Sequence, residues 1–208
     1  MVDKLNEQEE FWKNNFGNEY FSRKNNNHSS VEKRTSEFEI YLKSTENITS
    51  VLEFGANIGL NLMVLKSLIP DLSLNAVEIN LSAVQELQKI VPKENIYTGS
   101  FTEFTSKKKF DLVISRGVLI HLNPDDLEKA YKQLYDYSNK YILISEYFNP
   151  TPVSVEYRGF QNKLFKRDFC REILNLYNDL VLIDYGFLYS SDKNYKYDDV
   201  NWFLLEKN

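Results

Sequence analysis

From Ser50 onward, short runs rich in β-branched and aromatic residues alternate with longer stretches whose apolar positions recur at helical spacing. That alternation predicts βαβ units feeding a parallel sheet. The predicted strands are SVLEFG (50–55), LSLNAVEI (72–79), NIYTGS (95–100), FDLVISRG (110–117), YILISEYF (141–148), LVLIDYGFLY (180–189) and VNWFLLEK (200–207). The last two are separated by SDKNYKYDD, which has no helical pattern and is too short for a crossover helix, so they are expected to pair antiparallel. The fold class is therefore α/β, a seven-stranded, mostly parallel, Rossmann-like sheet with an antiparallel last strand.

Boundary chemistry places a helix over Pro124–Ser138. Asn123 suits the N-cap, Pro124 the first turn, and Asp125 and Asp126 the positive end of the helix dipole. Leu127, Ala130, Tyr131, Leu134 and Tyr135 form its sheet-facing stripe, which makes those tyrosines core residues. Ahead of the first strand, residues 1–47 hold two helical patterns, around Glu7–Asn15 and Val31–Lys43, with polar FGNEYFSRKNNNHSS between them. This segment reads as a cap over the mouth of a site built on the 48–208 core, within one domain of 1–208. After the fifth strand, Pro150 and Pro152 disfavour helix. The stretch EYFNPTPVSVEYRGFQNKLFKRDF then predicts an ordered loop across the crevice, followed by a helix packed through Phe165, Phe169, Ile173 and Leu176 or Tyr177.

The 208 residues, 42% hydrophobic and 26% charged, can bury a core without disulfide or metal staples. A net charge of -5 argues against a nucleic-acid partner, which needs a basic face. The basic cluster Lys163, Lys166, Arg167 and Arg171 reads as a solvated helix start. Cys170 is alone, and no His/Cys grouping has metal-site spacing, so no metal is expected. Neither a signal-like amino terminus nor a membrane-length apolar run is present, and a cytoplasmic location is expected.

The candidate chemistry begins at VLEFGANIGLN, residues 51–61, a strand that turns through two glycines into a helix. In an open α/β sheet this turn is where a nucleotide-like ligand meets the backbone. Gly55 permits the turn and Gly59 lets the helix pack near the strand, while Glu53 and Asn61 flank the loop. Asn57 stands where a dinucleotide fingerprint wants glycine for a pyrophosphate, which disfavours a nicotinamide oxidoreductase. Glu78, followed by Ile79, ends the second strand about twenty residues beyond Gly59 and suits the two hydroxyls of a ribose. Gly99, Ser100 and Phe101 close the third strand, where Phe101 can stack on adenine or belong to the core. Arg116 and Gly117 end the fourth strand, beside the expected methionine portion of an S-adenosylmethionine cofactor. His121 lies just beyond and can act as general base or order the loop.

The segments LEFGANIGLN, GVLIHLNPDDL, YILISEYFNPTPV, YRG, LFKRDF, DYGF and WFLLEK resemble the pseudaminic acid biosynthesis-associated methylases, nearly end to end from FWKNNFGNEYFSR. The resemblance implies a class I methyltransferase fold and S-adenosylmethionine as cofactor. It also implies an acceptor among the nonulosonic acids or related amino sugars of bacterial flagellin and surface glycans. Gly55, Asn57 and Gly59 then stand for the cofactor loop, Glu78 for the ribose acid, and Ser100, Arg116 and Gly117 for the remaining walls. The acceptor is expected to meet Tyr20, Arg23 and Asn25 from the cap, and Tyr147, Asn149, Tyr157, Arg158 and Lys163 from the segment after the fifth strand. Arg158 offers a planar fork to a carboxylate, or an internal ion pair, and Tyr157 a face for the sugar ring. The readings weighed against this are a non-catalytic S-adenosylmethionine-binding protein and a methyltransferase for an unrelated small metabolite.

Overall fold

The computed structural model describes residues 5–24, 29–193 and 199–208. Seven strands form the main sheet: β1 (Ser50–Phe54), β2 (Ser73–Glu78), β3 (Ile96–Thr98), β4 (Phe110–Arg116), β5 (Ser138–Glu146), β8 (Leu180–Leu188) and β9 (Val200–Lys207). Their spatial order is β3-β2-β1-β4-β5-β9-β8. Strands β1 to β5 pair in parallel, and β9 runs antiparallel to both its neighbours, as the polar loop before it requires. The order reverses between β1 and β4, so the crevice opens above their carboxyl ends.

Helices cover both faces. On one side lie α3 (Ser29–Leu42), α4 (Leu60–Leu68) and α5 (Leu81–Leu87), with Phe38, Tyr41, Leu62, Leu65 and Leu87 sharing a core with Val51, Ile114 and Trp202. On the other, α6 (Leu127–Tyr137) and α7 (Phe169–Leu176) bury Leu127, Ala130, Tyr131, Leu134 and Ile173 against Leu52, Phe54 and Ile142. Of the stripe predicted for α6, Leu127, Ala130, Tyr131 and Leu134 are buried and Tyr135 only partly so; the helix begins at Leu127 and not at Pro124, after a short turn capped by Asn123.

Residues 16–24, which the sequence marks only as polar, are helical. They belong to α2 (Asn15–Lys24), which follows α1 (Glu7–Lys13) across a break at Asn14; within α2, Gly17 sits so close to α1 that a Cβ would stand 1.8 Å from the Trp12 carbonyl oxygen. The loop expected across the crevice is corrected, because beyond the short connection 147–152 the stretch after β5 forms strands. Strands β6 (Val153–Tyr157) and β7 (Phe160–Lys166) form an antiparallel hairpin, and Phe165 sits in β7, so α7 begins only at Phe169 behind its N-cap Asp168. The hairpin turn is Arg158–Gly159, with φ of +52° and +86°, the paired positive values of the tight turn that best matches strand twist.

Candidate functional site

The loop from β1 to α4 is held open by its own backbone. Gly55 has φ +66°, and a Cβ there would lie 2.5 Å from Val118 Cγ2, so a side chain would collide with the loop after β4. Asn57 also takes a left-handed conformation, φ +50°, which asparagine tolerates better than most residues. Its N–H donates to Glu78 Oε2 at 2.7 Å, and the Asn80 N–H donates to Glu78 Oε1 at 2.8 Å. Burial raises the Glu78 pKa, opposed by these backbone donors. The close packing at Gly59 is against α5, where a Cβ would meet Leu87 Cδ1 at 2.7 Å, and not against the strand as expected.

Beneath this loop, α3 contributes a polar stripe. Arg34, Glu37 and Tyr41 recur at helical spacing and are buried, although no sequence signal had assigned them a role. Arg34 donates to Asn61 Oδ1, and the Asn61 amide donates to Glu53 Oε1. Glu53 is lifted to about 7 by burial, with Asn61 and Arg34 pulling the other way. Arg116 pairs with Glu37 at 2.6 Å. Burial would lower the Arg116 pKa, but Glu37 and Tyr41 outweigh it and hold the guanidinium above its ordinary value.

The turn after β4 hangs on Glu146, the last residue of β5. Its Oε1 accepts from Ser115 Oγ at 2.9 Å and from the N–H groups of Val118 and Leu119 at 3.0 Å. Burial lifts Glu146 to about 7 from 4.5, against the pull of those donors. A carboxyl raised in the folded state imposes no cost below its unfolded pKa and its full cost above the folded one. Stability contributed by Glu146 therefore falls as pH rises from 4.5 through about 7. Glu146→Gln keeps an oxygen acceptor but cannot ionise. Its melting temperature relative to the parent is expected to be higher at alkaline pH than at about pH 5, and melting curves with parallel pH dependence would show that Glu146 does not ionise in this range.

His121, in the same turn, is 8% exposed and bonded through Nδ1 to the Lys163 carbonyl oxygen at 2.7 Å. A carbonyl can only accept, so the neutral ring carries its proton on Nδ1 and Nε2 is the basic nitrogen. The ring packs against Trp12 at 4.5 Å and Tyr157 at 4.8 Å.

Helices α1 and α2 lie across the mouth. Asn6 donates to Asp126 at 2.7 Å, Ser100 to Glu9, and the Asn80 amide to Trp12 O at 3.3 Å and Asn18 Oδ1 at 2.9 Å. Glu7 pairs with Lys163 at 2.6 Å.

The cleft so enclosed is lined by Gly55, Asn57, Asn61, Glu78 and Ile79, and by Gly99, Ser100, Phe101, Arg116, Gly117 and His121, together with Trp12, Tyr20 and Arg34. Glu53 is buried below the floor, and Gly59 starts α4 behind it. Phe101 is both lining and core, stacked on Phe54 with ring centroids 4.0 Å apart.

The acceptor group does not converge. Tyr20 lines the cleft, whereas Tyr147, Asn149, Tyr157, Arg158 and Lys163 do not. Lys166 Nζ stands 5.3 Å over the Tyr147 ring, and Asn149 bonds Thr151 beside the hairpin. Arg158 is exposed at the hairpin turn, its guanidinium 5.5 Å from the Tyr157 ring centroid. Of the cluster Lys163, Lys166, Arg167 and Arg171, Lys163 and Lys166 lie in β7, with Lys163 buried in its ion pair with Glu7, so they are no solvated helix start; Arg171 is exposed in the first turn of α7, and Arg167 and Arg171 pair with Glu172 and Asp168. Arg23 falls on α2 with its side chain outside the description, and Asn25 lies outside the described residues.

A family profile described as a methyltransferase domain matches residues 51–140. No curated protein matches the sequence. Among solved structures, the 1,6-didemethyltoxoflavin-N1-methyltransferase of Burkholderia thailandensis, with bound 1,6-didemethyltoxoflavin and S-adenosylhomocysteine, is similar at TM-score 0.68 and 13% identity, over 100% of this chain and 93% of that one. Magnesium protoporphyrin IX methyltransferase from Synechocystis PCC 6803, with bound S-adenosylmethionine, aligns over 100% of both chains at TM-score 0.67 and 14% identity. The N-methyltransferase NodS from Bradyrhizobium japonicum WM9, with S-adenosylhomocysteine, aligns over 89% of this chain and 90% of its own at TM-score 0.62 and 15% identity. The seven-stranded sheet with its antiparallel β9 is the fold these proteins share. No helix among the described residues is long and apolar enough to cross a membrane.

Proposed function

We propose that this chain, matched by a methyltransferase-domain profile across residues 51–140, transfers a methyl group from S-adenosylmethionine to a small-molecule acceptor. The carrying observation is Glu78, a buried carboxylate at the cleft whose two oxygens are oriented by Asn57 and Asn80. Each oxygen accepts one backbone donor there and keeps a lone pair for a ribose hydroxyl. The other groups fit the same ligand. Asn57 Oδ1 is buried at the cleft with no partner among the described residues, a ready acceptor for an ammonium. Arg34 and Arg116 supply positive charge for a carboxylate, while Ser100 and Phe101 suit adenine. Bound S-adenosylmethionine supplies a methyl on a positively charged sulfur, open to in-line displacement. His121 Nε2 is the group that takes the acceptor's proton.

The acceptor in this proposal is a nonulosonic acid or related amino sugar of bacterial surface glycan or flagellin glycosylation. Its support is the resemblance that runs from FWKNNFGNEYFSR to WFLLEK. The test of the donor is calorimetry with S-adenosylhomocysteine. The folded chain is expected to bind it, and Glu78→Ala to weaken it by about 1–3 kcal/mol through loss of the hydroxyl acceptor. A folded parent chain without affinity would refute the reading, and an unchanged affinity in the variant would move the ribose elsewhere.

A further inference from the structure

We propose that Trp12 of α1 is the acceptor-binding wall of the cleft, its indole stacking on one face of a sugar ring and its N–H donating to a hydroxyl or carbonyl oxygen of that sugar. The inference rests on the methyltransferase reading and adds to it the residue that grips the acceptor.

Trp12, Tyr20 and His121 all line the cleft, and the Trp12 ring lies 5.4 Å from Tyr20 and 4.5 Å from His121 between centroids. The Trp12 ring meets Tyr20 edge-on at 86° and His121 at 52°, so the three form an angled aromatic corner beside the nitrogen assigned as base. The electron-rich face of an indole attracts the weakly positive C–H edges of a saturated ring. Buried polar groups are almost always satisfied in folded proteins. Trp12 Nε1 is buried with no hydrogen-bond partner among the described residues, so it is a donor waiting for an oxygen.

The wall is also fixed in advance. The Trp12 carbonyl accepts from Asn80 at 3.3 Å, and Asn6, the N-cap of α1, donates to Asp126 at 2.7 Å, so α1 is tied at both ends to residues that line the cleft. Fixing a recognition surface before binding removes an ordering cost from affinity. Tyr157, the ring that the sequence offered to the sugar, packs against His121 at 4.8 Å and is not among the residues that line the cleft. Trp12 occupies the position that Tyr157 was expected to fill.

The experiment is saturation-transfer NMR of N-acetylneuraminic acid, an available nine-carbon acidic sugar, on the full chain saturated with S-adenosylhomocysteine. Calorimetry of S-adenosylhomocysteine runs alongside for the parent, Trp12→Phe and Trp12→Leu. Loss of the stacked ring and its hydrogen bond in Trp12→Leu is expected to weaken the sugar about tenfold. Trp12→Phe keeps a ring and is expected to fall about threefold, with S-adenosylhomocysteine held within about twofold in both variants. Sugar contact that is absent in the parent, or unchanged in both variants, overturns the wall. A fall in S-adenosylhomocysteine affinity in step with the sugar also overturns it, by placing Trp12 in the cofactor half. Failure of the parent to bind S-adenosylhomocysteine overturns the methyltransferase reading instead.

Discussion

Arg116→Met is expected to lower the stability of the fold by about 3–5 kcal/mol, because removing one member of a buried ion pair leaves the other charged and unsolvated. Glu37 is fully buried and its Oε2 accepts from Arg116 at 2.6 Å. Tyr41 and Ser145, hydrogen-bonded to each other at 3.2 Å on the same side of the sheet, offer that carboxylate no replacement charge. The double variant Arg116→Met/Glu37→Leu removes both charges and is expected to recover much of the loss, since an apolar pair of similar volume often replaces a buried ion pair without cost. Urea unfolding of the two single variants and the double one gives the coupling directly. A double variant no more stable than Arg116→Met would mean that the pair itself is not what holds α3 on the sheet.

His121→Asn is expected to slow methyl transfer by about 10²–10⁴-fold, the range that a positioned base supplies. Asparagine can place an amide N–H where Nδ1 stands, so the bond to the Lys163 carbonyl survives while the basic Nε2 is lost. S-Adenosylhomocysteine affinity and melting temperature should therefore stay near those of the parent. The readout is the single-turnover rate of labelled-methyl transfer to the amino-sugar acceptor. A rate within about tenfold of the parent would make His121 a residue that orders the turn, with the proton leaving to solvent.

Much of this architecture was legible because its signals are local. Strands β1, β4 and β5 are buried on both faces and read as VLEF, LVIS and YILIS. The glycine loop and Glu78 are joined by backbone spacing, and the structure brings Asn57 to within 2.7 Å of Glu78 as that spacing suggests. The hairpin was missed although its pattern was present. Val153, Val155 and Tyr157 alternate with polar residues up to Arg158–Gly159, the period of a strand entering a tight turn, but the flanking prolines and polar content favoured a loop. The misplaced acceptor residues follow from that error, since a hairpin projects Arg158 to its exposed tip where a loop would have laid it over the crevice. Contacts such as Glu7 with Lys163 join residues 156 positions apart, and no periodicity encodes them.

Lys163 faces two ways. Its ammonium holds Glu7 of the cap at 2.6 Å, and its carbonyl holds the His121 ring at 2.7 Å. Strand β7 is thus tied through one residue both to α1 and to the turn after β4, and the lysine that makes the tie is only 5% exposed. The strand that carries it cannot relax without disturbing the ring bonded to its backbone. A single residue of β7 therefore couples the position of α1 to the orientation of the His121 ring.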